Sequence, residues 1–266
     1  MDITLTQGII LALVAIICGF DFWLEGLYIF RPMIVCTLTG IILGDVKMGV
    51  MAGGLTELAF AGLTPAGGTQ PPNPILAGVM TVVIAHTTGH NPATSIGLAL
   101  PFSFLMQYII LFFYSSFSVF MGKADKYAAE ADTKAFGRIT ILPMIIVALT
   151  YGIVVFLCGY IAQEPMKHLV ASMPGWLSHG FEIAGGILPA VGFGLLLKVM
   201  LKGKFMPYLL IGFVVASFIQ FGNLLPVAVI GVAAALYQFY NDKEKQKLEE
   251  KLAESAAHGG GYEDGI

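Results

Sequence analysis

Charge is scarce in this chain, and its scarcity sets the class of protein. Only 12% of the 266 residues are Asp, Glu, Lys or Arg, and 57% are hydrophobic, where a soluble domain carries about 25% charge. The chain therefore reads as a polytopic helical membrane protein, with the lipid bilayer as its solvent. Cysteine is also sparse: Cys18, Cys36 and Cys158 lie far apart in apolar runs, so neither a disulfide framework nor a metal-ligand spacing follows. No basic residue precedes Arg31, and a cleaved signal peptide, which starts with positive charge, is not expected. No basic patch alternates with aromatics, which excludes nucleic acid as a partner. Phosphate-binding glycine loops, nucleophile elbows and zinc motifs are missing too. No cofactor, metal or catalytic group is expected.

What the chain does have is glycine (32 residues), phenylalanine (19) and tyrosine (10), a composition suited to helices packed closely in lipid. Apolar segments long enough to cross a bilayer, which takes about 20 residues, run over Leu98–Met121 and Ile139–Ala162. Shorter candidate spans follow at Ile183–Met200, Phe205–Phe221 and Leu224–Tyr240. The polar segment 122–138 reads as a surface helix, and 241–266 as a charged tail. Eleven of the fourteen Lys and Arg residues fall in segment 122–138, in the Lys198–Lys204 turn and in the tail. The positive-inside rule assigns all three, including the C-terminal tail, to the cytoplasm.

The first hundred residues follow another pattern. Their apolar runs, Gly8–Phe20, Met33–Gly44 and Ile75–Ala85, are too short for ordinary spans and suit broken or re-entrant helices. Between them lies "TPAGGTQPPNPILAG", Thr64–Gly78, with four prolines and three glycines. Irregular backbone at membrane depth survives only where protein buries it or where it lines a wet cavity, and transporters build substrate sites from such breaks. A faint echo between Met51–Gly54 (MAGG) and Ile183–Gly186 (IAGG) fits either an internal repeat or chance.

Candidate site residues cluster around that break. Glu57 is a carboxylate in an apolar run, which calls for a ligand or for a partner such as Lys47. Gln70 and Asn73 carry amides that both donate and accept, matching vicinal sugar hydroxyls. Pro71 and Pro72 fix the backbone without leaving an N–H unpaired, and Gly67 and Gly68 permit close approach of a ligand. Thr69 adds a hydroxyl. Asp21, Trp23 and Glu25 set two acids around an indole, which fits either a sugar platform or an interfacial anchor. His86 and His90 lack a third metal ligand nearby, and Asp45 reads as the charged end of a helix.

The segments "RPMIVCTLTGIILGDVKMGVMAGGLTELAFAGL" (Arg31–Leu63), "IAGGILPAVGFGLLLKVM" (Ile183–Met200) and "MPYLLIGFV" (Met206–Val214) resemble the enzyme IIC subunit of mannose-family sugar phosphotransferase systems (PTS). "AGGTQPPN" and the terminal "EDGI" resemble its N-acetylgalactosamine/galactosamine branch. The resemblance implies a membrane-embedded EIIC domain over 1–240. Residues 1–100 would be a core with re-entrant hairpins and the sugar site, and 101–240 the further spans. It also implies elevator-type movement of that core against a scaffold, in the bacterial cytoplasmic membrane. A IID subunit would pair with the chain, the pairs forming a trimer of heterodimers. IIA and IIB phosphocarriers would pass phosphate from phosphoenolpyruvate through histidines to the sugar, and this chain would hold no phosphohistidine. Its expected sugar contacts are Glu57, Thr69, Gln70 and Asn73, with Pro71 and Pro72 lining a pocket for the acetamido methyl. A proton- or cation-coupled secondary transporter, using Glu57 or Asp21 as the coupling carboxylate, is the competing reading. A membrane assembly or receptor subunit without transport of its own is a third.

Overall fold

A computed structural model describes residues 2–61, 71–219 and 225–258, and the secondary structure among them is entirely helical. Residues 1–199 and 200–266 form two compact units. The first begins with α1 (Leu5–Leu24), α2 (Pro32–Leu43), α3 (Val46–Phe60) and α4 (Pro74–Thr88). It continues through α5 (Pro92–Ser116), α6 (Ser118–Ala129), α7 (Thr133–Phe156), α8 (Gln163–Ala171) and α9 (Gly175–Met200). The second holds α10 (Met206–Phe218) and α11 (Leu225–His258).

Among the described residues four helical segments are long and apolar enough to cross a membrane: Leu5–Leu24, Pro92–Ser116, Thr133–Ile161 and Gly175–Lys198. The first corrects the expectation of a short run at Gly8–Phe20. Thr4 and Gln7 form a reciprocal cap at the start of α1, which adds a turn before Gly8. Asp21 then turns inward instead of ending the helix. The other two runs match short helices of 12 and 15 residues, α2 and α4. The polar segment 122–138 divides between α6 and the first turns of α7, with a tight turn at Ala131 in the left-handed region (φ 54°). The last apolar run continues into the charged tail as one helix, α11.

Helix starts follow the local sequence. Proline stands in the first turn of α2, α4 and α5, where its missing N–H costs nothing. The Asp45, Asn73, Asn91 and Asp132 side chains each accept from the backbone amide three residues on, capping α3, α4, α5 and α7. This satisfies donors that neither lipid nor a dry core could.

The core of the first unit surrounds α4. Ile75 through Ala85 are all buried, because α2, α3 and α5 pack around that helix and α1, α7 and α8 also touch it. Its apolar residues thus cover every face rather than one stripe, as in helices without a water-facing side.

The α2–α3 hairpin closes on bare backbone. A Cβ on Gly40 would stand 2.7 Å from both the Asp45 carbonyl and the Gly49 Cα, and one on Gly49 2.7 Å from the Cys36 carbonyl. Backbone cannot yield as a flexible side chain can. Gly40→Ala and Gly49→Ala are each expected to destabilise the fold by about 1–3 kcal/mol, the usual cost of overpacking. Thermal unfolding in detergent reads this directly, with Gly122→Ala, whose added Cβ meets nothing within 4 Å, as the neutral comparison. Gly53 and Gly185, from the two echoing motifs, each press on the backbone of a neighbouring helix, at Met33 and Ala93.

Candidate functional site

Between the end of α1, the start of α4 and the middle of α5 lies a cavity of about 580 Å³, within the roughly 300–1,000 Å³ range of small-molecule sites. One wall is the loop joining α1 to α2, which contributes Glu25, Tyr28, Phe30 and Arg31 below Trp23. The opposite wall is Phe60 with Pro71, Pro72, Asn73 and Pro74. Gln107 and Tyr114 of α5 close a third side. Aromatic faces, two charges of opposite sign and two amides thus converge on one space.

Asp21 builds the first wall without lining the cavity. It is buried, with Oδ1 accepting from Leu27 N at 2.7 Å and Oδ2 from Ile29 N at 2.6 Å. The Glu25 amide also donates to the Asp21 carbonyl, at 2.7 Å. These bonds hold the loop in a shape that puts Glu25 (φ 48°) and Tyr28 (φ 58°) in the left-handed region. Side chains there cost about 1–3 kcal/mol each and persist where surrounding structure over-determines them. Trp23 lines the cavity and packs against Tyr114 with the rings tilted by 59° and their centroids 6.2 Å apart.

Glu57 is paired with Arg31, not with Lys47. Its Oε1 accepts from Arg31 Nε at 2.7 Å and from Nη2, while Oε2 accepts from Met33 N at 3.1 Å. The pair is partly exposed, 39% for Arg31 and 26% for Glu57, and it is Arg31 that reaches the cavity. The carboxylate stands behind it and fixes the plane of the guanidinium. Arg31 is the residue the sequence reading missed. The available signal was that a carboxylate in an apolar run needs a counter-charge, and Arg31 precedes every other basic residue.

Asn73 lines the cavity and also carries structure. Its Oδ1 accepts from Leu76 N at 3.1 Å, its Nδ2 donates to the Tyr151 hydroxyl at 2.5 Å, and its backbone exchanges two bonds with Ser103. One Nδ2 proton is left for a ligand. Pro71 and Pro72 line the cavity wall. Gly68, Thr69 and Gln70 lie outside the described residues. His90 bonds Thr88 Oγ1 at 3.0 Å, and among the described residues no cluster of His, Cys, Asp and Glu has metal-binding geometry. The arrangement suits a small polar ring: aromatic faces for its C–H side, charges and amides for its hydroxyls.

The sequence profile of the family described as PTS system sorbose-specific IIC component matches residues 5–237. The chain is 60% identical to N-acetylgalactosamine permease IIC component 1 of Escherichia coli K12, covering 100% of this chain and 99% of the relative. It is 30% identical to the PTS mannose-specific EIIC component of the same strain, over 89% of this chain and 90% of the relative. Among solved structures, the mannose transporter ManYZ in complex with microcin E492 matches with a TM-score of 0.57 at 29% identity, covering 90% of this chain and 97% of the other. The protein is a multi-pass membrane protein and belongs to the sorbose-specific IIC component family of phosphotransferase systems.

Proposed function

We propose that this chain is the sugar-translocating IIC subunit of a phosphoenolpyruvate-dependent phosphotransferase system for N-acetylgalactosamine or galactosamine. The observation that carries the reading is 60% identity, from end to end, to an N-acetylgalactosamine permease IIC component. The cavity chemistry supports it. Trp23 and Tyr28 offer ring faces to the sugar, while Arg31 and Glu25 meet ring hydroxyls. Pro71 and Pro72 flank the acetamido methyl, and Asn73 donates its remaining amide proton. Glu57 acts through Arg31, and Asp21 through the loop it holds. Thr69, Gln70 and Gly68 are proposed as further contacts from their sequence position alone.

In this reading the chain binds and moves the sugar, and chemistry belongs to its partners. A IID subunit completes the membrane complex as a trimer of heterodimers. IIA and IIB carriers deliver a phosphoryl group to the sugar 6-hydroxyl on the cytoplasmic side, where the tail of this chain also lies. The core of re-entrant helices moves against a scaffold in the bacterial cytoplasmic membrane.

The test is uptake of radiolabelled N-acetylgalactosamine into vesicles holding this chain and its IID partner, with IIA, IIB and a phosphoenolpyruvate-driven phosphate supply inside. Label recovered as the 6-phosphate only with that supply is the expected result. Free sugar accumulating without it, and lost on adding an uncoupler, would establish a secondary transporter instead.

A further inference from the structure

The hairpin of α6 and α7 lines none of the cavity described above, yet it forms an open recess of its own. A space of about 280 Å³ lies between its arms, lined by Phe120, Lys123 and Tyr127 from one and by Arg138, Ile139 and Leu142 from the other. The charges around it are sorted. Glu130 pairs with Lys126 at 3.8 Å, and Asp132 caps α7 by accepting from Ala135 N at 2.9 Å. Neither acid lines the space. Its two cations, Lys123 and Arg138, make no ion pair among the described residues. Arg138 gives only its Nε, to the Lys134 carbonyl at 3.3 Å.

The hairpin joins two helices that are long and apolar enough to cross a membrane, α5 and α7, so it stands at a membrane face. Ile139 and Leu142 begin the apolar run of α7, and Arg138 immediately precedes it. The space therefore has a cationic, phenolic mouth and an apolar floor, at the depth where lipid phosphates meet acyl chains. Basic recesses between membrane helices on the cytoplasmic side are a recurrent setting for anionic headgroups.

We propose that this recess binds an anionic phospholipid. Lys123 and Arg138 take the phosphate, Tyr127 adds a donor, and Phe120, Ile139 and Leu142 receive the first methylenes of an acyl chain. A soluble phosphorylated partner would meet the same cations but would leave the apolar floor uncovered, so the lining favours the lipid.

The experiment is native mass spectrometry and thermal unfolding of the full chain in neutral detergent. Dioleoylphosphatidylglycerol, cardiolipin or dioleoylphosphatidylcholine is added, and a separate arm receives inorganic phosphate. The anionic lipids are expected to give retained adducts and a raised unfolding midpoint, and phosphatidylcholine neither. Lys123→Gln/Arg138→Gln should weaken binding by about twenty-five-fold, roughly fivefold per charge near a lipid surface. Lys126→Gln, outside the recess, should leave it unchanged. Leu142→Trp fills the floor while keeping both cations, and should remove the adducts even if the double variant folds poorly. Equal binding of phosphatidylcholine, or undiminished anionic adducts in both recess variants, overturns the proposal. Inorganic phosphate matching the lipids would overturn it as well, and would point to a soluble phosphorylated ligand.

Discussion

Replacing Asn73 by alanine is expected to lower folded yield and the unfolding midpoint as well as sugar uptake. Two structural losses combine. The cap on α4 disappears, which costs about 1 kcal/mol. The Tyr151 hydroxyl, in a side chain with 0% exposure, loses its partner, and an orphaned buried polar group costs about 1–3 kcal/mol. Because α4 lies at the centre of the first unit, the loss reaches every helix packed on it. A second change separates this from a ligand role. Asn73→Ala/Tyr151→Phe has no orphan hydroxyl, so it should recover part of the stability while uptake stays low. If Asn73→Ala melts like the unaltered protein and fails only in uptake, the residue is a sugar contact and little else.

The Arg31–Glu57 pair carries the other large effect. Glu57→Gln removes the charge that orients the guanidinium, and Arg31→Gln removes the group that reaches the cavity. Each is expected to reduce uptake efficiency at least tenfold, since a charge-assisted hydrogen bond contributes about 1.5–3 kcal/mol. Arg31→Lys should not rescue, because an ammonium cannot reproduce the planar pair of donors, Nε and Nη2, that converge on Oε1. The double variant should be little worse than either single one, as expected of groups that act as one unit. Full uptake by Glu57→Gln sinks the assignment. Additive losses would mean that the two side chains serve separate tasks.

In the proposed function, sugar specificity rests on a wall whose shape is set from behind. Asp21 never touches the cavity, but its two backbone bonds place Glu25, Tyr28 and Arg31 around it. The glycines of α2 and α3 let that hairpin pack tightly enough to set Glu57 behind Arg31. The proposed transport function depends as much on groups that hold backbone as on groups facing the ligand.

Through the resemblance of motifs such as Arg31–Leu63 the sequence pointed to the family, and by itself it determined the membrane class, the helical architecture and the short α2 and α4. These follow from composition, run length and proline position, which are local or additive quantities. It also singled out the break near Asn73, because backbone without hydrogen bonds must find a wet or buried place. Only the tertiary structure decided which charge meets which. Glu57 and Arg31 are 26 positions apart, and Asn73 and Tyr151 are 78 apart, separations over which no periodicity carries information. The same limit gave Asp21 the look of a ligand. A buried carboxylate needs donors, and the sequence does not reveal that two backbone amides a few residues on supply them.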